Sequence, residues 1–159
     1  MKINESTRVS MGWPLHVKSM YDYRMMFGEV YARLFQFCVI SLCSDAETFF
    51  KETFDRYGYI KGKGKGFFQR FDDVISKLEA AGLDFSPVQS SIEKIHLAFQ
   101  IRHIGIHNMG IVDDDFSSKT GMGSVGSVYP IDQNSYREMF VAYTAFLKHL
   151  DSRLPTTPT

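Results

Sequence analysis

Residues 92–111 form an apolar segment that, wound as a helix, is apolar on two opposite sides. At about 100° per residue, Leu97, Ile101, Ile104 and Ile111 fall on one side, and Ile92, Ile95, Ala98, Phe99, Ile106 and Met109 on a broad arc opposite. A helix apolar on two sides must be enclosed on two sides. One side is assigned to the chain's own core. The other is expected to meet a second subunit. Between the two runs a narrow stripe of His96, Gln100, His103 and His107. Polar groups in such a segment need partners or a chemical use. Arg102 lies about 140° from His107 on an ideal helix. The two share a site only if Gly105 loosens the turn, the long arginine curls round, or the groups come from two chains.

The remaining periodicity is helical as well. Residues 21–57 contain no proline. Met26, Val30, Leu34, Phe37 and Ile40 follow three- and four-residue steps, as do Phe27, Tyr31, Phe35, Val39, Leu42 and Ala46. This helix covers more than one face and is expected to be central, with Ser44-Asp45 as a candidate kink or break. A second helix is expected over 67–81, with Phe68, Phe71, Val74, Ile75 and Leu78 on one face and Gly82 as its stop. Ser86 and Pro87 read as N-cap and first residue of a third, running to about Gly110. Asp113, Asp114 and Asp115 suit a helix C-terminus badly, so that helix ends before them. Residues 116–130 read as a Gly/Ser-rich loop, a mobile flap over the histidine segment. Its Gly121-Met122-Gly123-Ser124-Val125-Gly126 has the GxGxxG spacing, but no strand precedes it and no helix opens from it. Asp132 or Asn134 caps a last helix to about Arg153. With no β-alternation of any length, the expected fold is an all-α bundle of four to five helices. Residues 1–20 form an N-terminal arm packed through Met11, Trp13 and Leu15, residues 21–153 a single domain, and residues 154–159 a disordered tail.

Composition narrows the function. Eighteen basic residues balance 18 acidic ones, so any nucleic-acid contact is a local patch rather than a global field. Lys61, Lys63 and Lys65, on a loop with alternating glycines, and Arg70 are the candidate patch; a solvated linker is the competing reading. Cys38 and Cys43 are too far apart along one helix for a disulfide and read as core residues of a reducing compartment. The N-terminal residues lack the apolar stretch of a secretory signal, and the apolar uncharged run at residues 34–44 falls short of a membrane span. A cytoplasmic, soluble protein is expected.

Arginine and histidine on one helix suit RNA cleavage without metal or cofactor. The RNA 2′-hydroxyl is the nucleophile. A base must take its proton, an acid must protonate the leaving 5′-oxygen, and a cation must hold the phosphate. The run Arg102-His103-x-x-x-His107-Asn108 resembles the Arg-x4–6-His signature of the HEPN superfamily, which has a polar residue directly after the arginine. The resemblance extends over residues 21–153 in the order of helices and in the late position of the motif. It implies a metal-independent endoribonuclease acting as a homodimer with facing motifs, often a toxin with an antitoxin partner or a phage-defence protein. It also implies that Arg102 and His107 are the essential pair, with His103 supporting and Asn108 assisting. The tyrosine that some members carry two places after the histidine is Met109 here, which removes that site of regulation by modification.

Two alternatives stand beside it. His103 and His107 at i, i+4, with His96 one heptad earlier, have metal-ligand spacing but no companion ligands in the sequence. A non-catalytic dimerising bundle would use the histidines as satisfied interior groups. His16 and His149 read as surface or packing residues. Cys38 and Cys43, in an apolar helix, lack the basic neighbours of a nucleophile.

Overall fold

The computed structural model describes residues 4–12, 17–22 and 28–156. Residues 1–34 and 35–159 form two compact units. Trp13, Leu15, His16, Met26, Phe27 and the end of the tail lie outside the described residues. In the first unit, α1 (Glu5–Ser10) is capped by Asn4, whose side chain accepts from Thr7 N. Met11 is exposed and Val17 is buried.

The boundary between the units falls within α2 (Gly28–Tyr57), which runs unbroken through Ser44-Asp45. Ser44 spends its hydroxyl on Ile40 O, 2.9 Å away, and the ladder continues. From Val39 onward, Val39, Leu42, Cys43, Ala46, Phe50 and Phe54 are buried at three- and four-residue steps. The other stripe read from the sequence stays outside: Val30, Leu34 and Phe37 are all exposed.

In the second unit α2 is joined by α3 (Phe71–Ala80), α4 (Gln89–His107), α5 (Asp114–Thr120) and α6 (Gln133–Arg153). The fold is all-α. The described residues hold no strand; Ile111 and Val128 form an isolated antiparallel bridge. The core is knotted together by phenylalanines from four helices. Phe50 on α2 meets Phe71 on α3 and Phe146 on α6, each at 6.0 Å between ring centres. Phe71 stacks on Phe99 of α4 at 5.3 Å, and Phe85 stacks on Phe146 at 5.5 Å. These offset and edge-on contacts add to area burial at the one point where the four long helices converge.

Helix ends differ from the sequence reading in four places. Residues 67–69 are a separate 3-10 turn ahead of α3. Ser86–Val88 is another, stabilised by Asp84 accepting from Ser86 N, so α4 starts three residues later and without a side-chain cap. α4 ends at His107, before Gly110. Residues 114–120, read as loop, are α5. Asp113 caps it by accepting from Phe116 N at 2.8 Å, Asp114 and Asp115 lie in its first turn, and Gly121 closes it at φ 66°. The three aspartates that end α4 therefore begin α5.

The loop after α5 is tied down rather than free. Val112 N donates to Ser127 O, Gly126 N to Val112 O and Tyr129 N to Gly110 O, all at 2.8–2.9 Å. Its glycines serve these turns: Gly121, Gly123 and Gly126 all have positive φ. The flap expected from the sequence is thus pinned alongside residues 110–112.

Phe146 touches Phe50, Phe71 and Phe85 and is fully buried. Phe146→Ala should destabilise the protein by about 3–5 kcal/mol, read from denaturant midpoints at unchanged slope. A loss below about 1 kcal/mol would mean that this ring is not the junction of the core.

Candidate functional site

α2 and α4 pack antiparallel, and glycine sets their spacing. A Cβ on Gly105 would come within 3.1 Å of Ile40 Cδ1 and 3.3 Å of Gln36 Nε2. Gly110, at φ 81°, has Gln36 directly against it. Gly105 therefore permits close approach of the two helices, and the helix runs on through it.

The approach places Arg102 against Glu47. Arg102 Nη2 lies 2.5 Å from Glu47 Oε1, with 11 % and 9 % of the two side chains exposed. The contact is short but off the direction of a hydrogen bond: Glu47 Oε1 and Arg102 Nε are both buried without a hydrogen-bond partner, as is Gln36 Nε2. Cys43 shares the pocket. Burial pushes its thiol up to about 12, the Arg102 charge pulls it down and Glu47 raises it again. A thiol so placed is no nucleophile.

The histidines take the opposite side. His103 and His107 are exposed, one turn apart, with ring centres 4.9 Å apart. The 140° separation expected from the wheel is thus realised: within one chain Arg102 turns inward and the imidazoles turn out. His107 ends the helix. Asn108 N and Gly110 N both donate to Ile104 O, at 2.8 and 2.9 Å, and Asn108 Nδ2 donates to Ile111 O at 2.7 Å. Asn108 therefore holds the turn after the helix. Met109 takes the left-handed conformation at φ 53°, with its side chain exposed.

The other residues singled out in the sequence are dispersed. His96, seven residues before His103, meets Asp72 Oδ1 through Nδ1 at 2.8 Å. His149 Nε2 lies 2.7 Å from Asp84 O. Lys61 pairs with Asp55, and Arg70 pairs with Asp73 while donating to Lys63 O. Lys63 and Lys65 project from the loop as exposed residues. Of the metal alternative, His103 and His107 remain adjacent while His96 is paired elsewhere. Among the described residues no group of three histidines, cysteines or carboxylates is placed to hold an ion.

The two apolar sides of the wheel are mostly spent within the chain. Ile92, Ile95, Ala98, Phe99, Ile101 and Ile104 are all buried in one core, and only Ile106 and Met109 stay exposed, at 47 % and 70 %. The face left for another subunit is smaller than the wheel implied. No described helix is long and apolar enough to cross a membrane.

Glu47 was not anticipated, yet it carries a readable mark. It lies four after Cys43 and three before Phe50, on the stripe α2 buries. A carboxylate there demands a buried cation. Comparison with family models, with curated proteins and with solved structures finds no match.

Glu47→Ala leaves a buried guanidinium without its counter-charge and should cost about 3–5 kcal/mol. The double variant Glu47→Leu/Arg102→Met should regain most of that loss, because two apolar side chains can replace a buried pair. Equal loss in the single and double variants, measured by chemical denaturation, would show that the two groups are not coupled.

Proposed function

We propose that this protein is a metal-independent endoribonuclease of the HEPN type, acting as a homodimer and serving as a toxin or phage-defence protein with RNA as substrate. The observation that carries the reading is two solvent-facing imidazoles, 4.9 Å apart, on the same helix as a buried guanidinium one residue before the first of them. Imidazole transfers protons near neutral pH, and the planar guanidinium grips two phosphate oxygens at once.

In the proposed reaction one histidine takes the proton of the RNA 2′-hydroxyl. The 2′-oxygen bonds to phosphorus as the bond from phosphorus to the 5′-oxygen breaks. The leaving oxygen receives a proton from the second acid, giving a 2′,3′-cyclic phosphate and a 5′-hydroxyl end. His107 is the acid or base, His103 shares proton transfer or orients it, and Asn108 keeps His107 in place by fixing the turn. Arg102 neutralises the phosphate. Because it turns inward toward Glu47, a single subunit separates guanidinium from imidazoles, and the reaction requires the homodimer interface to bring the two kinds of group together. Phe37, 66 % exposed, and the exposed Ile106 and Met109 are the apolar residues available to such an interface. Lys63 and Lys65 are the free members of the lysine loop for contact with the RNA backbone, ahead of the paired Lys61 and Arg70. An antitoxin protein belongs to the same proposal.

The alternative is a non-catalytic dimerising bundle, favoured by one observation: Arg102 is nearly enclosed and already has a carboxylate partner. Incubation of the purified protein with mixed structured RNAs in EDTA separates the two. His107→Ala should retain the fold and lose cleavage by about 10²–10⁴-fold. Arg102→Lys should fail as well, since a point charge does not replace the fork. Cleavage by His107→Ala at the parental rate would refute the assignment.

A further inference from the structure

The polar stripe of α4 does not end at His103. Seven residues earlier, about 10 Å along the axis and nearly in register on the same face, His96 lines a cleft of about 500 Å³. The cleft lies among α3, α4 and the end of α5, with Asp72, Gln89, Glu93, Lys119 and Met122 among its walls. It is separate from the His103–His107 pair but runs out along the same stripe. Its volume is in the range of small-molecule sites.

Its chemistry is that of an acceptor. Asp72 Oδ1 meets His96 Nδ1 at 2.8 Å and so fixes the ring; in the neutral tautomer that carries its proton on Nδ1, Nε2 accepts. The carboxylates of Asp72 and Glu93 are exposed to the cleft. The one full cation there, Lys119, is taken by Asp115 at 2.7 Å. Two carboxylates and a neutralised lysine repel a phosphate. They suit a planar group whose edge donates hydrogen bonds, and the imidazole, Leu97 and Met122 offer such a group faces to lie against.

We infer that the cleft binds an amino-bearing nucleobase (adenine, cytosine or guanine), held through its exocyclic amine by the Asp72, Glu93 and His96 acceptors. The inference rests on the ribonuclease reading for its identification of an RNA base, one that flanks the phosphate at His103 and His107. Uracil presents no amine, only its N3–H, and is bound more weakly. The cleft thus gives the enzyme a base preference at a position adjoining the cut.

Binding is testable without cleavage. The full chain is titrated with AMP, CMP, GMP and UMP while the histidine imidazole resonances are followed by NMR. At least one amino-bearing nucleotide should shift His96 and bind at least about fivefold more tightly than UMP, the lower bound for one good base contact. Asp72→Asn and His96→Ala should each weaken that binding by a similar factor. Equal binding of UMP, shifts confined to His103 and His107, or no binding by any nucleotide would overturn the inference. RNA cleavage by the parent is scored separately. Nucleotide binding at His96 without cleavage would uphold the cleft and refute the ribonuclease. Cleavage without such binding would do the reverse.

Discussion

The contact on which the histidine-bearing end of α4 depends is the buried meeting of Arg102 with Glu47. A guanidinium inside a helical bundle is tolerated only with a counter-charge beside it. Here the counter-charge comes from α2, the helix that contributes most to the aromatic core. The pair therefore fixes the rotation of α4 about its own axis. With Arg102 turned toward α2, residues one and five positions later are carried to the opposite, solvated side, and those residues are His103 and His107. Gly105 and Gly110 act in the same place by letting α2 come close, with Gln36 lying against both. A Cβ at 105 would press on the side-chain ends of Ile40 and Gln36, one turn of α4 from the ion pair.

Helix α4 shows how much of this arrangement could be read from the chain. The wheel placed Arg102 and the histidines on different sides, and the structure keeps them there, because a continuous helix leaves no freedom to do otherwise. The same wheel assigned the second apolar arc to another subunit. It could not anticipate that α2, α3 and α6 together would bury Ile92, Ile95, Ala98 and Phe99, since periodicity reports that a face is covered and not by what. The phenylalanine stripe of α3 was legible for a simpler reason: Phe71, Val74, Ile75 and Leu78 all sit on the one buried face of a short helix.

The local signals were harder to weigh where two meanings competed. Asp113, Asp114 and Asp115 are unfavourable at the end of one helix and favourable at the start of the next. Taken in the first sense alone, they leave residues 116–120 in a loop, where the chain forms α5. Residues 121–130 are rich in glycine and serine, which suggests freedom. Yet three backbone hydrogen bonds to residues 110–112 fix them, a pairing between distant segments that composition does not encode. Glu47 is the instructive omission. Its position on the buried stripe of α2 was visible in the spacing, and its partner had already been singled out as an arginine out of place.

Helix α5 is what turns a single histidine stripe into two separate environments. After His107 the chain turns through Asn108, Met109 and Gly110 and comes back beside α4, so that Lys119 and Met122 arrive at the level of His96. The returning segment walls the early part of the stripe into a cleft, where Asp72 can fix an imidazole, and leaves the late part, His103 and His107, open. One imidazole is held by a carboxylate within a cleft, and two stay exposed. This division follows from the backbone alone, because it is set by where α4 ends and by the side on which α5 returns. A polar stripe that periodicity presents as uniform is thus differentiated by its neighbours: residues of one type on one face acquire different chemical capacities according to what the chain brings back against them.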